Sequence, residues 1–135
     1  MSDTGKASSN QHAAAPDQAT VKPPKLEIGR RSAVMTITLN RPEALNAFDD
    51  EMRQIFAAEV PKIARNPDIY AVVLNSTSPK AFCAGGDVRA LVKIAATDKA
   101  VAASYFAGEY SLNWLLECFS KPTVSLINGL CMGSG

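Results

Sequence analysis

Apolar and polar residues over positions 26–135 follow patterns that predict strands and helices in alternation. Residues 34–39 are rich in β-branched side chains and alternate between apolar and polar, which is typical of a strand, and residues 26–28 are a candidate partner. Residues 69–74 and 123–127 are short and mostly apolar, as in strands buried on both faces. The pattern predicts an α/β fold of the order β-α-β-α-α-β with a parallel core sheet.

Three helices are expected between these strands. The first should begin at Asp49 or Asp50, which are good N-cap residues, and should kink at Pro61 before it ends. Its apolar residues recur at helical spacing, which predicts one buried face. The three expected ranges are about 50–65, 87–95 and 99–119.

One acidic residue interrupts the apolar face of the third helix. Glu109 lies four residues after Tyr105, three before Leu112 and seven before Leu116, so its carboxylate shares the face that ought to be buried. A partly exposed salt bridge at a helix edge would also account for it. Glu109 is therefore a candidate for a functional role, with a structural alternative.

The N-terminal residues differ from the rest in composition. Residues 1–25 are mostly small and polar, and we expect a disordered tail followed by one globular unit over residues 26–135. The tail lacks the apolar core of a secretory signal and the arginines of a mitochondrial transit peptide, which favours a cytoplasmic location. A formal net charge of +1 and the shortness of the apolar runs indicate neither a nucleic-acid partner nor a membrane.

Two glycine-rich segments follow predicted strands, at residues 80–87 (KAFCAGGD) and 128–135 (NGLCMGSG). Small residues let a ligand approach the main chain closely, and a following helix N-terminus adds partial positive charge. Each segment alone is better explained as an ordinary glycine turn, because single turns that contain glycine are common. Together they predict two N–H donors that point at one oxygen, which suits the negative charge that develops on a thioester carbonyl.

Several other chemistries lack the residues that they need. The single histidine, His12, lies in the tail, so residues 26–135 contain neither a Ser-His-Asp triad nor a Cys-His pair. Cys83 is expected to be a small side chain behind the loop rather than a nucleophile. There is no cluster of His and Cys for zinc and no P-loop pattern, so no metal site is predicted. A dinucleotide site at Gly133 and Gly135 is a weaker interpretation, because the position of the third glycine lies beyond residue 135.

Four motifs in order and at matching spacing resemble the crotonase (enoyl-CoA hydratase/isomerase) superfamily. They are residues 39–47 (LNRPEALNA), 80–88 (KAFCAGGDV), 121–124 (KPTV) and 128–135 (NGLCMGSG). The nearest resemblance is to its 3-hydroxyisobutyryl-CoA hydrolase branch, because Gly86 stands where hydratases usually have alanine and because Glu109 precedes Tyr110. The resemblance implies the N-terminal part of a crotonase-like ββα spiral.

The same resemblance implies roles for particular positions. The main-chain N–H groups of Ala84 and Ser134 would form the oxyanion hole, although the family usually has glycine where Ser134 stands. Glu109 and Ser134 would contact the acyl group. The implied contacts with coenzyme A are Ala44, Ala84, Gly85, Gly86 and Asp87. No cofactor is implied, since coenzyme A is part of the substrate.

The implied activity is hydrolysis of 3-hydroxyisobutyryl-CoA, a step in valine breakdown. Two alternatives stay open: an enoyl-CoA hydratase or isomerase, and a non-catalytic protein that binds acyl-CoA. The acid and base carboxylates of the resembled hydrolases follow the second glycine-rich segment, so we expect this chain to be an N-terminal piece that has no thioesterase turnover by itself. Homo-oligomerisation of the full-length protein is a further implication of the resemblance.

Overall fold

The structure, a computed structural model, describes residues 22–97 and 99–135. Most of the predicted tail, residues 1–21, lies outside the described residues. A single turn of 3₁₀ helix at Pro42–Ala44 follows the second strand. The remaining elements, in chain order, are β1 (Leu26–Arg31), β2 (Val34–Leu39), α1 (Asp50–Arg65), β3 (Ala71–Ser76), β4 (Ala81–Cys83), α2 (Val88–Thr97), α3 (Lys99–Glu117), β5 (Thr123–Ser125) and β6 (Leu130–Cys131).

The main sheet has the strand order β1-β2-β3-β5. β1 and β2 form an antiparallel pair in which Leu26 lies opposite Leu39, and β2, β3 and β5 are parallel. A second, parallel sheet joins β4 to β6. The predicted parallel core sheet and element order are confirmed. The short strands β4 and β6 are not among the predicted strands, because two or three residues are too few to show the alternation of a strand.

Helix α1 begins where the sequence predicts. The carboxylate of Asp49 accepts a hydrogen bond from the N–H of Met52 at 3.0 Å, which satisfies one of the unpaired donors of the first turn. The helix continues past Pro61 to Arg65, followed by Asn66 in an extended conformation. Lys25 forms an ion pair with Asp49 at 2.6 Å, which holds the start of the described chain against this helix.

The core lies between the main sheet and the buried faces of α1 and α3. Twelve buried residues form one cluster, and it includes Ile37, Met52, Phe56 and Leu112. Residues 123–127 differ from the expectation of a buried strand: Val124 is 50% exposed. The reason is that β5 is an edge strand, paired only with β3, so that no described strand lies along its other side.

Asn46 links the segment after β2 to the strand that carries the first glycine-rich loop. The residue is fully buried in the left-handed region, with φ of 56°. Its amide group donates to the hydroxyl of Ser76 at 2.6 Å and to the carbonyl of Phe82 at 3.0 Å, and its oxygen accepts from the N–H of Arg41 at 2.8 Å. One side chain thus satisfies buried polar groups of three segments.

We expect Asn46→Ala to lower the free energy of unfolding by about 2–4 kcal/mol, because it leaves buried partners unsatisfied and places alanine at positive φ. Urea titration would measure the change. The matched control is Asn66→Ala. Among the described residues, its side-chain oxygen accepts only from the N–H of Asp68, at 2.9 Å near the surface, so the substitution should cost less than about 1 kcal/mol. Equal losses in the two variants would contradict this role of Asn46.

Candidate functional site

The two glycine-rich segments lie directly against each other. Gly85 has a φ of 86°, and a Cβ atom placed there would lie 2.7 Å from the carbonyl oxygen of Met132 and 3.4 Å from the nitrogen of Ser134. Only glycine permits this conformation and this approach together. The predicted meeting of the two loops is therefore present, and it depends on the absence of a side chain at residue 85.

The predicted donor at Ala84 is not free. Its N–H donates to the carbonyl oxygen of Leu45 at 3.0 Å, so a substrate oxygen would have to displace an existing hydrogen bond. Gly86 differs, because it forms a parallel β-bridge with Phe48. The N–H of Phe48 donates to the carbonyl of Gly85 (2.8 Å), and the N–H of Asp87 donates to the carbonyl of Phe48 (2.9 Å). The N–H of Gly86 therefore faces the other way, and no described residue accepts from it. This geometry favours Gly86 over Ala84 as a candidate for the first donor.

The predicted second donor, the main-chain N–H of Ser134, lies in a tight turn. The N–H of Gly135 donates to the carbonyl of Met132 at 3.0 Å, which leaves Gly133 and Ser134 as the central residues of the turn. Gly133 has a φ of 59°, whereas Ser134 is not among the described non-glycine residues with positive φ. Serine at this position is therefore compatible with the backbone, and its N–H has no acceptor among the described residues.

Glu109 places a carboxylate between the two loops. The hydroxyl of Ser134 donates to Oε1 of Glu109 at 2.7 Å, and Oε2 lies 3.0 Å from the position that a Cβ of Gly86 would occupy. The face of α3 predicted to be buried thus carries Glu109 to the site. Any larger residue at position 86 would meet this carboxylate, which gives a local reason for glycine there.

Two neighbouring cavities share Glu109 and Ser134 in their walls. The first has a volume of about 240 Å³ and is lined mainly by apolar side chains, among them Phe48, Phe82 and Leu112. The second, of about 210 Å³, is lined by both glycine-rich loops. The first is smaller than the roughly 300–1,000 Å³ of sites for drug-sized ligands, so it suits a short acyl group.

The side chain of Asp87 connects the first glycine-rich segment to α2 and to Arg41. Its carboxylate accepts from the N–H of Ala90 at 3.1 Å at the start of α2 and pairs with Arg41 at 2.8 Å. Burial raises the pKa of the Asp87 carboxyl, but the Ala90 N–H and the Arg41 guanidinium outweigh burial and hold this pKa below its ordinary value. The side chain is thus occupied within the protein, and its contact with coenzyme A stays a prediction.

This lowered pKa predicts a pH dependence of stability. Ionised Asp87 stabilises the folded state above the unfolded pKa of about 3.9, and the contribution is lost as pH falls through the lower folded pKa. In Asp87→Asn the free energy of unfolding should be below that of the wild type at pH 7, and the gap should narrow below about pH 4. Urea titrations across this range measure it. A gap independent of pH would contradict the prediction, and the exposed Asp68→Asn is the control.

The remaining predicted positions lie near the site in different ways. Ala44 belongs to the 3₁₀ turn, and the next residue, Leu45, supplies the carbonyl that accepts from Ala84. Cys83 is buried behind the loop, as predicted, and burial raises the pKa of its thiol, which makes it a poor nucleophile. Within residues 22–97 and 99–135, no group of three or more potential metal ligands is present, and no helix is long and apolar enough to cross a membrane.

Sequence reasoning missed one residue of the site. Arg53 lies on α1 three residues before Phe56 and seven before Val60, it is only 5% exposed, and it lines the larger cavity. This spacing could have identified Arg53, since it places a cation on the buried face of α1, just as the spacing around Glu109 places a carboxylate on the face of α3 that was predicted to be buried. Arg53 and Glu109 are the charged residues among the described residues in the wall of that cavity.

Residues 34–135 match the family model described as enoyl-CoA hydratase/isomerase. The chain belongs to this family. Two curated relatives are named 3-hydroxyisobutyryl-CoA hydrolase, mitochondrial. The one from Rattus norvegicus is 40% identical over 107 residues (78% of this chain, 28% of the relative), and the one from Xenopus tropicalis is 36% identical over 116 residues (86% and 30%).

Solved structures of the enoyl-CoA hydratase/isomerase family have the same fold. A carnitinyl-CoA dehydratase from Mycobacterium thermoresistibile superposes with a TM-score of 0.77 at 32% identity, over 82% of this chain and 32% of that one. The crotonase fold predicted from the motifs is confirmed. The chain spans about 30% of the length of the curated relatives it matches.

Proposed function

We propose that the protein to which this chain belongs hydrolyses the thioester of 3-hydroxyisobutyryl-CoA. The observation that carries the proposal is that the two loops pack against each other beside the carboxylate of Glu109 and that each carries a main-chain donor, Gly86 or Ser134, without an acceptor among the described residues. The names of the curated relatives support the substrate, because two that are 36–40% identical to this chain are hydrolases of that thioester.

In this proposal the carbonyl oxygen of the thioester accepts from the N–H groups of Gly86 and Ser134. When water attacks the carbonyl carbon, negative charge moves onto that oxygen, and fixed main-chain dipoles stabilise it without reorganisation. The C–S bond then breaks, and the thiol of coenzyme A leaves with a proton. The short acyl group occupies the apolar cavity, and Ala84, Gly85 and Gly86 line the smaller cavity on the side of the thioester.

Glu109 has a separate role in this scheme. A carboxylate does not stabilise an oxyanion, since both are negative, so we assign Glu109 to binding the polar part of the acyl group. Its oxygens retain acceptor capacity beyond the hydrogen bond from Ser134, because an ionised carboxylate has about four acceptor sites.

The test uses the protein expressed from its whole reading frame. Release of coenzyme A from 3-hydroxyisobutyryl-CoA, followed with a thiol reagent, should be far faster than the uncatalysed reaction. Crotonyl-CoA hydration is assayed in parallel, because the same two donors would stabilise an enolate and the structural relative is a dehydratase. Hydration without thiol release would replace the proposal by the hydratase alternative, and binding without either reaction would favour a non-catalytic protein.

The other implications of the resemblance stay proposals. Contacts of Ala44 and Asp87 with coenzyme A, homo-oligomerisation and a cytoplasmic location are among them. The word mitochondrial in the names of the rat and frog relatives describes those proteins, and it makes localisation of the tagged full-length protein a worthwhile measurement.

A further inference from the structure

The larger cavity contains one positive charge that the proposed hydrolysis does not use. The Nη2 atom of Arg53 donates to Asp50 at 3.1 Å, and the guanidinium carbon lies 3.7 Å from the centroid of the Tyr105 ring. The Nη1 atom is buried and makes no hydrogen bond to any described residue. Arg53 thus lines the cavity and carries an unsatisfied charged donor.

The contacts that Arg53 does make leave this donor uncompensated. The side chain of Asp50 is 76% exposed, so that ion pair is largely screened by solvent, and a ring face cannot replace a hydrogen-bond acceptor. A buried charged N–H without an acceptor is costly. An acceptor supplied by a ligand would remove that cost.

Arg53 and Glu109 line one cavity without pairing with each other. Its guanidinium stacks on Tyr105, which is one helical turn before Glu109 on the same face of α3. Both residues line the same cavity of about 240 Å³, and no ion pair joins them among the described residues. The cavity therefore offers a strong donor and a strong acceptor beside an apolar wall.

We propose that Arg53 and Glu109 together recognise a hydroxyl group on the acyl chain, which makes Arg53 a specificity-determining residue. The hydroxyl oxygen accepts from Arg53, and the hydroxyl hydrogen is donated to Glu109, because a hydroxyl is donor and acceptor at once. An acyl chain with a carboxylate in place of this hydroxyl would be repelled by Glu109, and one with a methyl group in its place would leave the Arg53 donor without an acceptor. The inference rests on the proposed acyl-CoA substrate and adds the residue that selects it.

The test measures binding, so that it does not depend on turnover. Non-hydrolysable thioether analogues of 3-hydroxyisobutyryl-CoA and isobutyryl-CoA are titrated calorimetrically into the protein expressed from its whole reading frame. The wild type should bind the hydroxylated analogue about 10- to 100-fold more tightly, as expected for hydrogen bonds to charged groups. Arg53→Met should abolish this preference by weakening binding of the hydroxylated analogue far more than binding of the isobutyryl analogue, and Arg53→Lys should retain part of it.

The control is Lys62→Met, which removes a cation from the exposed side of the same helix and should leave the preference intact. Equal binding of both analogues by the wild type overturns the inference, and so does an equal loss for both in Arg53→Met. If Arg53→Met does not fold, an undiminished preference in Arg53→Lys overturns it. A wild type that shows the preference but releases no coenzyme A from the natural thioester contradicts the hydrolysis alone.

Discussion

Replacing Gly85 with alanine is expected to lower kcat/KM for 3-hydroxyisobutyryl-CoA by about 100- to 1,000-fold, the usual cost of losing one oxyanion donor. A Cβ at this position would lie 2.7 Å from the main-chain oxygen of Met132, which cannot move aside as a flexible side chain would. The φ of 86° is also unfavourable for alanine. The loops must separate, and the N–H groups of Gly86 and Ser134 can then no longer donate to one carbonyl oxygen as proposed.

Steady-state hydrolysis by the full-length protein measures this effect. Gly29→Ala is the matched control, since a Cβ there meets no atom within 4 Å and the residue has no positive φ. Gly29→Ala should retain the wild-type kcat/KM. Thermal unfolding of both variants is measured alongside, because a Gly85→Ala protein that folds but keeps full activity would show that the meeting of the loops is not needed.

Glu109→Gln is expected to reduce kcat/KM for the same substrate by about 100-fold or more, because a charged acceptor is lost and the acyl group is misplaced. The substitution keeps the size of the side chain, so the cavity should be preserved. The loss should be much smaller for isobutyryl-CoA, which has no hydroxyl to donate to Glu109. Comparing the two thioesters therefore separates recognition from general damage.

Two further variants sharpen the interpretation of Glu109. Glu117→Gln removes an exposed carboxylate from the same helix and should leave both activities unchanged. Ser134→Gly removes the hydroxyl that donates to Glu109 at 2.7 Å but keeps the main-chain N–H, so we expect a smaller loss than in Glu109→Gln. An equal loss of activity on both thioesters in Glu109→Gln would refute its role in hydroxyl recognition.

Local patterns were sufficient for most of the fold. The apolar stripe of α1, the cap at Asp49 and the alternation of β2 each depend on neighbouring residues, and the structure has them as expected. Exposure was harder to predict. Val124 lies in a mostly apolar run typical of buried strands, but β5 pairs on one side only among the described residues, and Val124 is half exposed.

The sequence by itself determined the order of the elements, the two glycine-rich segments and the place of Glu109 on the inner face of α3, because these follow from spacing along the chain. Tertiary structure alone decided which N–H groups are free. Ala84 and Gly86 are two residues apart and are both small. Leu45 accepts a hydrogen bond from the N–H of Ala84, whereas Phe48 bonds to the two neighbours of Gly86 and leaves the N–H of Gly86 unpaired among the described residues. The availability of a main-chain donor depends on partners about forty positions away, which local pattern does not encode.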